Sequence, residues 1–93
     1  MYEYSEKDVI KAKSAFFISL DPLKLREVPT KQKKVFVVLN IIIEQIPDRE
    51  FSEKEINELL ESIYPDFVTL RRYLIDYKLM DRTRDGSKYW KNK

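Results

Sequence analysis

A small α+β domain, mainly helical and closed by a carboxy-terminal β-hairpin, follows from three features of this 93-residue chain. A long apolar segment spans residues 30–46, two short amphipathic segments open at Ser52-Glu53-Lys54-Glu55 and at Pro65-Asp66, and residues 79–84 turn at Asp85-Gly86 into residues 87–91. Helical spacing in the first two and a turn dipeptide between strand-compatible flanks in the third set the element types. The length suits one domain over residues 1–93, which buries about 60–65% of the surface its unfolded chain exposes.

The first helix begins near Ser5 and carries Val9, Phe16, Phe17 and Leu20 on one side before Asp21-Pro22 stops it, so residues 1–22 read as an amino-terminal helical extension. Residues 23–28 alternate apolar and polar up to Pro29, the pattern of a short edge strand. Thr30 is the expected N-cap of a second helix that runs to Ile46 and ends at Pro47. Val35, Phe36, Val37, Val38, Leu39, Ile41, Ile42, Ile43 and Ile46 leave it almost no polar face, which marks a buried spine. Its β-branched content makes strand the rival reading, and its length together with the cap favours helix.

Glu50-Phe51 has room for a minimal strand. Ser52 and Glu55 then have the spacing of a capping box, with Ile56, Leu59, Leu60 and Ile63 as the apolar stripe that follows. Pro65 breaks that helix, Asp66 caps the next, and Phe67, Leu70, Leu74 and Tyr77 form its inner face. At 100° per residue Arg72 points away from that face with Val68, Thr69, Ile75 and Asp76 beside it, while Arg71 lies nearer the core edge. The single glycine, Gly86, sits where the hairpin needs positive φ. Alternation turns one of Tyr89 and Trp90 inward and leaves the other partly exposed.

The net charge of +2 is a cancellation. Residues 24–34 carry five basic and one acidic side chain, residues 66–93 eight and four, and residues 44–62 two and seven, so two basic segments flank an acidic one. Such asymmetry bears on partners and encounter rates rather than on fold. With no Cys there is no disulfide framework, and with no His the usual general base and commonest metal ligand are missing. No Gly-rich phosphate loop or ligand spacing appears, so no enzyme, no cofactor and no metal site is expected. The longest apolar run, residues 35–43, is interrupted by Asn40 and falls well short of the ~20 residues of a membrane span. The start has no basic segment leading into an apolar signal core, so a soluble cytoplasmic protein is expected.

Three groups of side chains are candidates for an anionic partner. Lys31, Lys33 and Lys34 stand in the first turn of the spine helix, where the macrodipole disfavours cations by roughly 0.3–1 kcal/mol each and a phosphate would compensate. The plainer alternative is that they solubilise the helix end or pair with acidic residues of the helix beginning at Ser52. Arg72, Thr69 and Val68 occupy the positions from which a recognition helix meets the major groove, Arg toward guanine and Thr or Val toward a thymine methyl. For Arg72 the alternative is a solvated surface arginine, and for Arg71 an internal ion pair with Asp66 or Glu61. In the hairpin Arg82, Arg84, Lys88 and Lys91 would track a phosphate backbone. Against this, Glu53, Glu55 and Glu58 make the helix at Ser52 acidic, and it would repel DNA unless it faces away.

Helix, turn, helix and hairpin in that order is the layout of a winged helix, with residues 66–77 as recognition helix and residues 79–91 as wing. Four blocks, residues 28–34 (Val-Pro-Thr-Lys-Gln-Lys-Lys), 51–60 (Phe-Ser-Glu-Lys-Glu-Ile-Asn-Glu-Leu-Leu), 66–77 (Asp-Phe-Val-Thr-Leu-Arg-Arg-Tyr-Leu-Ile-Asp-Tyr) and 79–90 with its Asp85-Gly86 turn, resemble the bacterial domain of unknown function 2087 over residues 24–91. The resemblance implies a winged-helix-like fold, found alone or fused to helix-turn-helix transcriptional regulators, with no catalytic residues. Its basic blocks map onto Lys31, Lys33, Lys34, Arg71 and Arg72. The leading expectation is therefore a DNA-binding transcriptional regulator that contacts double-stranded DNA through Lys31, Lys33, Lys34, Thr69, Arg71, Arg72, Arg82, Arg84 and Lys88. The alternative is a protein-interaction, effector or dimerisation module of a regulator, with Phe16, Phe17 and Leu20 of the amino-terminal helix as a homodimer surface.

Overall fold

The computed structural model describes residues 2–92, and their backbone clusters into two units, one ending at Gln45 and one beginning at Ile46. Together the described residues form an α+β chain of four helices and two small antiparallel sheets.

In the first unit, α1 (Glu6–Phe16) starts at a capping box: the Ser5 N–H donates to Asp8 Oδ2 at 2.9 Å and the Asp8 N–H donates to Ser5 Oγ at 3.4 Å. The expected helix end is corrected here. Helix stops at Phe16, and Phe17–Leu20 form strand β1, antiparallel to β2 (Leu23–Leu25) in the register Phe17↔Leu25 and Leu20↔Leu23. The physical reason is a period of two that continues across the Asp21-Pro22 turn: Phe17, Leu23 and Leu25 are buried while Ile18, Leu20 and Lys24 face out. Short apolar runs satisfy both periodicities, and here the hairpin partner decides between them.

The spine helix is α2 (Gln32–Gln45). The Val35 N–H donates to the Lys31 carbonyl at 2.9 Å, so Lys31, one place after the expected Thr30, holds the cap position. Seven residues of α2 are buried, from Val35 to Ile42, and half-buried Asn40 turns its amide back to the Phe36 carbonyl at 2.8 Å. Within this unit α1 lies along α2, and the rings of Tyr2 and Tyr4 stand 5.8 and 5.9 Å from that of Phe36.

The second unit runs β3 (Phe51–Ser52), α3 (Glu53–Glu61), α4 (Phe67–Asp76), β4 (Met80–Arg82) and β5 (Lys88–Lys91), with its three strands in the order β3-β5-β4. Ser52 and Glu55 make the expected capping box, Ser52 N–H to Glu55 Oε1 at 2.8 Å and Glu55 N–H to Ser52 Oγ at 3.1 Å. Ile56 and Leu60 of α3, Leu70 and Leu74 of α4, and Phe51, Met80 and Tyr89 of the sheet are almost fully buried. Removing these side chains from water is the main stabilising contribution, ~1.5–3 kcal/mol for each large apolar side chain.

Two left-handed residues shape the ends of α4 and of the hairpin. Lys78, at φ 64°, follows the C-cap Tyr77, and the bonds Leu79 N–H to Leu74 O (2.9 Å) and Lys78 N–H to Ile75 O (3.0 Å) form a Schellman motif. Gly86, at φ 75°, donates to the Thr83 carbonyl at 3.0 Å in the turn between β4 and β5.

Candidate nucleic-acid interface

Asp66 positions the start of α4. Its carboxylate accepts the Thr69 N–H at 3.2 Å and the Thr69 hydroxyl at 2.7 Å. These bonds, and then the charge of Arg72, hold the Asp66 carboxyl below its ordinary range. Thr69 was expected at the groove, yet its hydroxyl is committed to the cap. Helix geometry then sends adjacent arginines to different environments.

Arg71 turns inward. Its side chain is only 20% exposed, and Nη1 donates to Asn57 Oδ1 at 2.5 Å, lies 3.6 Å from Glu53 Oε1, and belongs to a guanidinium 5.6 Å from the centre of the Tyr89 ring. One arginine thus ties α4 to α3 and β5. The sequence anticipates an internal pair for Arg71, but with Asp66 or Glu61; its partners are instead Glu53 and Asn57, which only the packing of α3 on α4 brings within reach. Arg72 is exposed, and no carboxylate stands within 4.0 Å of it among the described residues.

Arg82 on β4 and Arg84 in the turn are also exposed, and neither has an ion-pair partner among the described residues. A groove of about 270 Å3 collects Val68, Arg71, Arg72, Ile75 and Asp76 of α4 with Arg82 and Tyr89 of the sheet. Arg82 reaches back over the turn, so that a Cβ on Gly86 would lie 3.1 Å from its Nη1. The turn is rigidly bonded. Asp85 Oδ1 accepts the Thr83 hydroxyl (2.8 Å), the Ser87 hydroxyl (2.8 Å) and the Ser87 N–H (3.0 Å), while Thr83 Oγ1 accepts the N–H groups of Ser87 and Lys88. Those donors, with the Thr83 hydroxyl foremost, lower the Asp85 carboxyl to about 2. Lys88 faces Glu50 at 3.6 Å in an exposed pair, Tyr89 is buried and Trp90 half-buried. Lys91, the remaining cation of the hairpin, donates to the Ile46 carbonyl at 3.0 Å.

The acids of α3 are accounted for at its start. Glu53 faces Arg71, and Glu55 closes the capping box and stands 3.6 Å from Arg49, whose guanidinium lies 4.0 Å over the Phe51 ring. The Ser52 N–H, more than any other contact, holds the Glu55 carboxyl below its usual range. Glu58 and Glu61 line a separate depression with Lys54, Asn57 and Phe67.

Lys31, Lys33 and Lys34 belong to the first unit. Lys33 pairs with Asp8 at 3.7 Å, Lys34 stands beside it, and Lys31 lines a neighbouring depression with Glu27 and Phe16. The expected homodimer residues are divided: Phe17 is buried and Phe16 half-buried, while Leu20 is 46% exposed on β1. Among the described residues no group of three His, Cys, Asp or Glu could hold a metal, and no helix is long and apolar enough to cross a membrane.

Residues 24–91 match a family described as an uncharacterized protein conserved in bacteria, the domain of unknown function 2087. The chain belongs to this family. The matched segment takes in all of β2 but Leu23, α2 and nearly all of the second unit, so Lys31, Lys33, Lys34, Arg71, Arg72, Arg82, Arg84, Lys88 and Lys91 lie in the family domain, and α1 and β1 lie outside it. No curated protein and no solved structure matches the chain.

Proposed function

We propose that the chain is a winged-helix DNA-binding regulator, with α4 as the recognition helix and the β4–β5 hairpin as the wing. The observation that carries this reading is the inequality among the arginines of the second unit. Arg72, Arg82 and Arg84 are exposed and make no ion pair within 4.0 Å among the described residues, Arg72 acting on the Asp66 cap through its charge alone, whereas Glu53 and Glu55 of α3 are engaged by Arg71, Arg49 and Ser52. An exposed guanidinium that is not held in an internal ion pair remains open to an external anion. The element order α2-β3-α3-α4-β4-β5, with β3 paired to β5, supports this reading, since a winged helix would have that order. In this reading Arg72 and Val68 meet base edges, and Arg82 and Arg84 meet phosphates. Half-buried Trp90 sits on the wing and serves as the reporter. Titration with a mixed-sequence duplex at low salt changes its emission, and a flat titration refutes the proposal.

A second reading, a protein-interaction, effector or dimerisation module, is favoured by a different observation. Ile10 and Ile18 of the first unit are 61% and 70% exposed, and Leu20 is 46% exposed, unusual for large aliphatic side chains in so small a unit. Sedimentation with and without DNA separates the readings: self-association that ignores DNA and is lost on Ile18→Ser supports the second.

A further inference from the structure

We propose that the depression between α1 and α2 is a binding site for a small amphipathic organic anion, an aryl or short acyl body carrying one carboxylate. Asp8, Lys11, Ala12 and Ala15 share one face of α1 and meet Lys33, Lys34 and Val37 of α2, with the half-buried ring of Phe16 closing one end. Ala12 and Ala15 stop at Cβ where larger side chains would fill the space between the helices, and about 270 Å3 is left open. The floor is apolar, with Ala12 and Val37 almost fully buried. The rim is cationic. Asp8 is already engaged by the Ser5 N–H, by the Ser5 hydroxyl and by Lys33 at 3.7 Å, and its one negative charge also reaches Lys11, so three lysines and one carboxylate leave the rim positive by two. Lys11 and Lys34 have no carboxylate within 4.0 Å among the described residues.

A rim with a net excess of two positive charges over an apolar floor matches a ligand that is anionic at one end and apolar at the other. A sugar-phosphate backbone has nothing to place on Ala12 and Val37, and a neutral hydrophobe leaves the lysines unanswered. The volume lies just under the ~300–1,000 Å3 of common small-molecule sites, which limits the body to one ring or a short chain. The site uses residues of the first unit alone and does not depend on DNA being bound.

The test is a titration of the full 15N-labelled chain, followed by amide chemical shifts, with 3-phenylpropionate, 3-phenylpropanol and inorganic phosphate. The proposal expects saturable shifts at Lys11, Ala12, Ala15 and Lys34 with 3-phenylpropionate, at least tenfold tighter than with the alcohol, and none at Ala12 and Ala15 with phosphate. Ala15→Leu, which fills the space, weakens 3-phenylpropionate tenfold or more. Lys34→Gln, on an exposed side chain that the fold does not need, weakens it about threefold or more, and the same spectra report that each variant is folded. Equal affinity for acid and alcohol, phosphate binding as tight as the acid, shifts centred elsewhere, or undiminished binding by both variants each overturns it.

Discussion

If the chain binds DNA as proposed, replacing Arg82 and Arg84 together by glutamine isolates the charge that the β4–β5 hairpin contributes. Both guanidiniums are exposed and without internal ion pairs among the described residues, so each releases about one condensed counterion when it meets a phosphate. The logarithm of the affinity falls by about 0.9 per logarithm of salt for each such contact, so losing two shallows the slope by about 1.8. Over a fourfold rise in salt, from about 50 to about 200 mM, the wild-type chain therefore loses about 12-fold more affinity than the double variant. Lys88 supplies an opposite control. It already faces Glu50 at 3.6 Å, and Glu50→Gln frees it, steepening the slope by up to about 0.9 and tightening binding at low salt. The assay is anisotropy of a labelled mixed-sequence duplex, or Trp90 emission, across a salt series. A double variant with the wild-type slope refutes the assignment of the wing to phosphate, even if its affinity at one salt concentration is reduced.

Arg71→Ala acts on folding and leaves the salt slope unchanged. It strands Asn57 and Glu53 and costs about 1–2 kcal/mol, discounted because Glu53 is half exposed; urea unfolding measures it. Ser52→Ala removes the α3 cap and costs about 1 kcal/mol, on the order of 4–8 °C in melting temperature for a chain of this size. Lys78→Gly relieves a left-handed backbone worth ~1–2 kcal/mol against the ~0.5–1 kcal/mol that glycine adds to the unfolded chain's entropy, so a modest rise in melting temperature is expected. The turn between β4 and β5 is acid-sensitive in one direction. The Asp85 carboxyl lies at about 2 when folded against an ordinary 3.8, so its contribution is complete above about pH 4 and is lost as the pH falls toward 2. Amide exchange or chemical shifts of Ser87 and Lys88 follow that loss, and Asp85→Asn removes the pH dependence.

Most helix starts were legible from a local rule, the spine helix excepted, whose cap falls at Lys31 and not at Thr30. Ser52 and Asp66 cap as expected because a hydroxyl or carboxylate three residues before an N–H needs nothing from the rest of the chain, and Ser5, expected only as the start of the first helix, caps it in the same way. Asp85-Gly86 likewise sets its turn by its own chemistry. Residues 17–20 failed the same treatment because Phe17 and Leu20 suit either period, and what settles them is a partner strand beyond Pro22. Lys78 carried no signal at all: nothing in a lysine announces positive φ, and the Schellman bonds from Leu79 and Lys78 impose it.

The candidate site divides along the same line. From sequence alone come the family, the run of elements from β2 onward, the segregation of basic from acidic segments, and the opposite bearings of Arg71 and Arg72 on one helix, because periodicity and charge order are properties of neighbours in the chain. Tertiary packing alone determines which cations are already spent. Arg71 meets Asn57 and Glu53 from fourteen and eighteen residues away, Lys33 meets Asp8 across two helices, and Lys88 meets Glu50 across a strand pair. A Coulomb interaction depends on separation in space, and separation in space is what the fold sets.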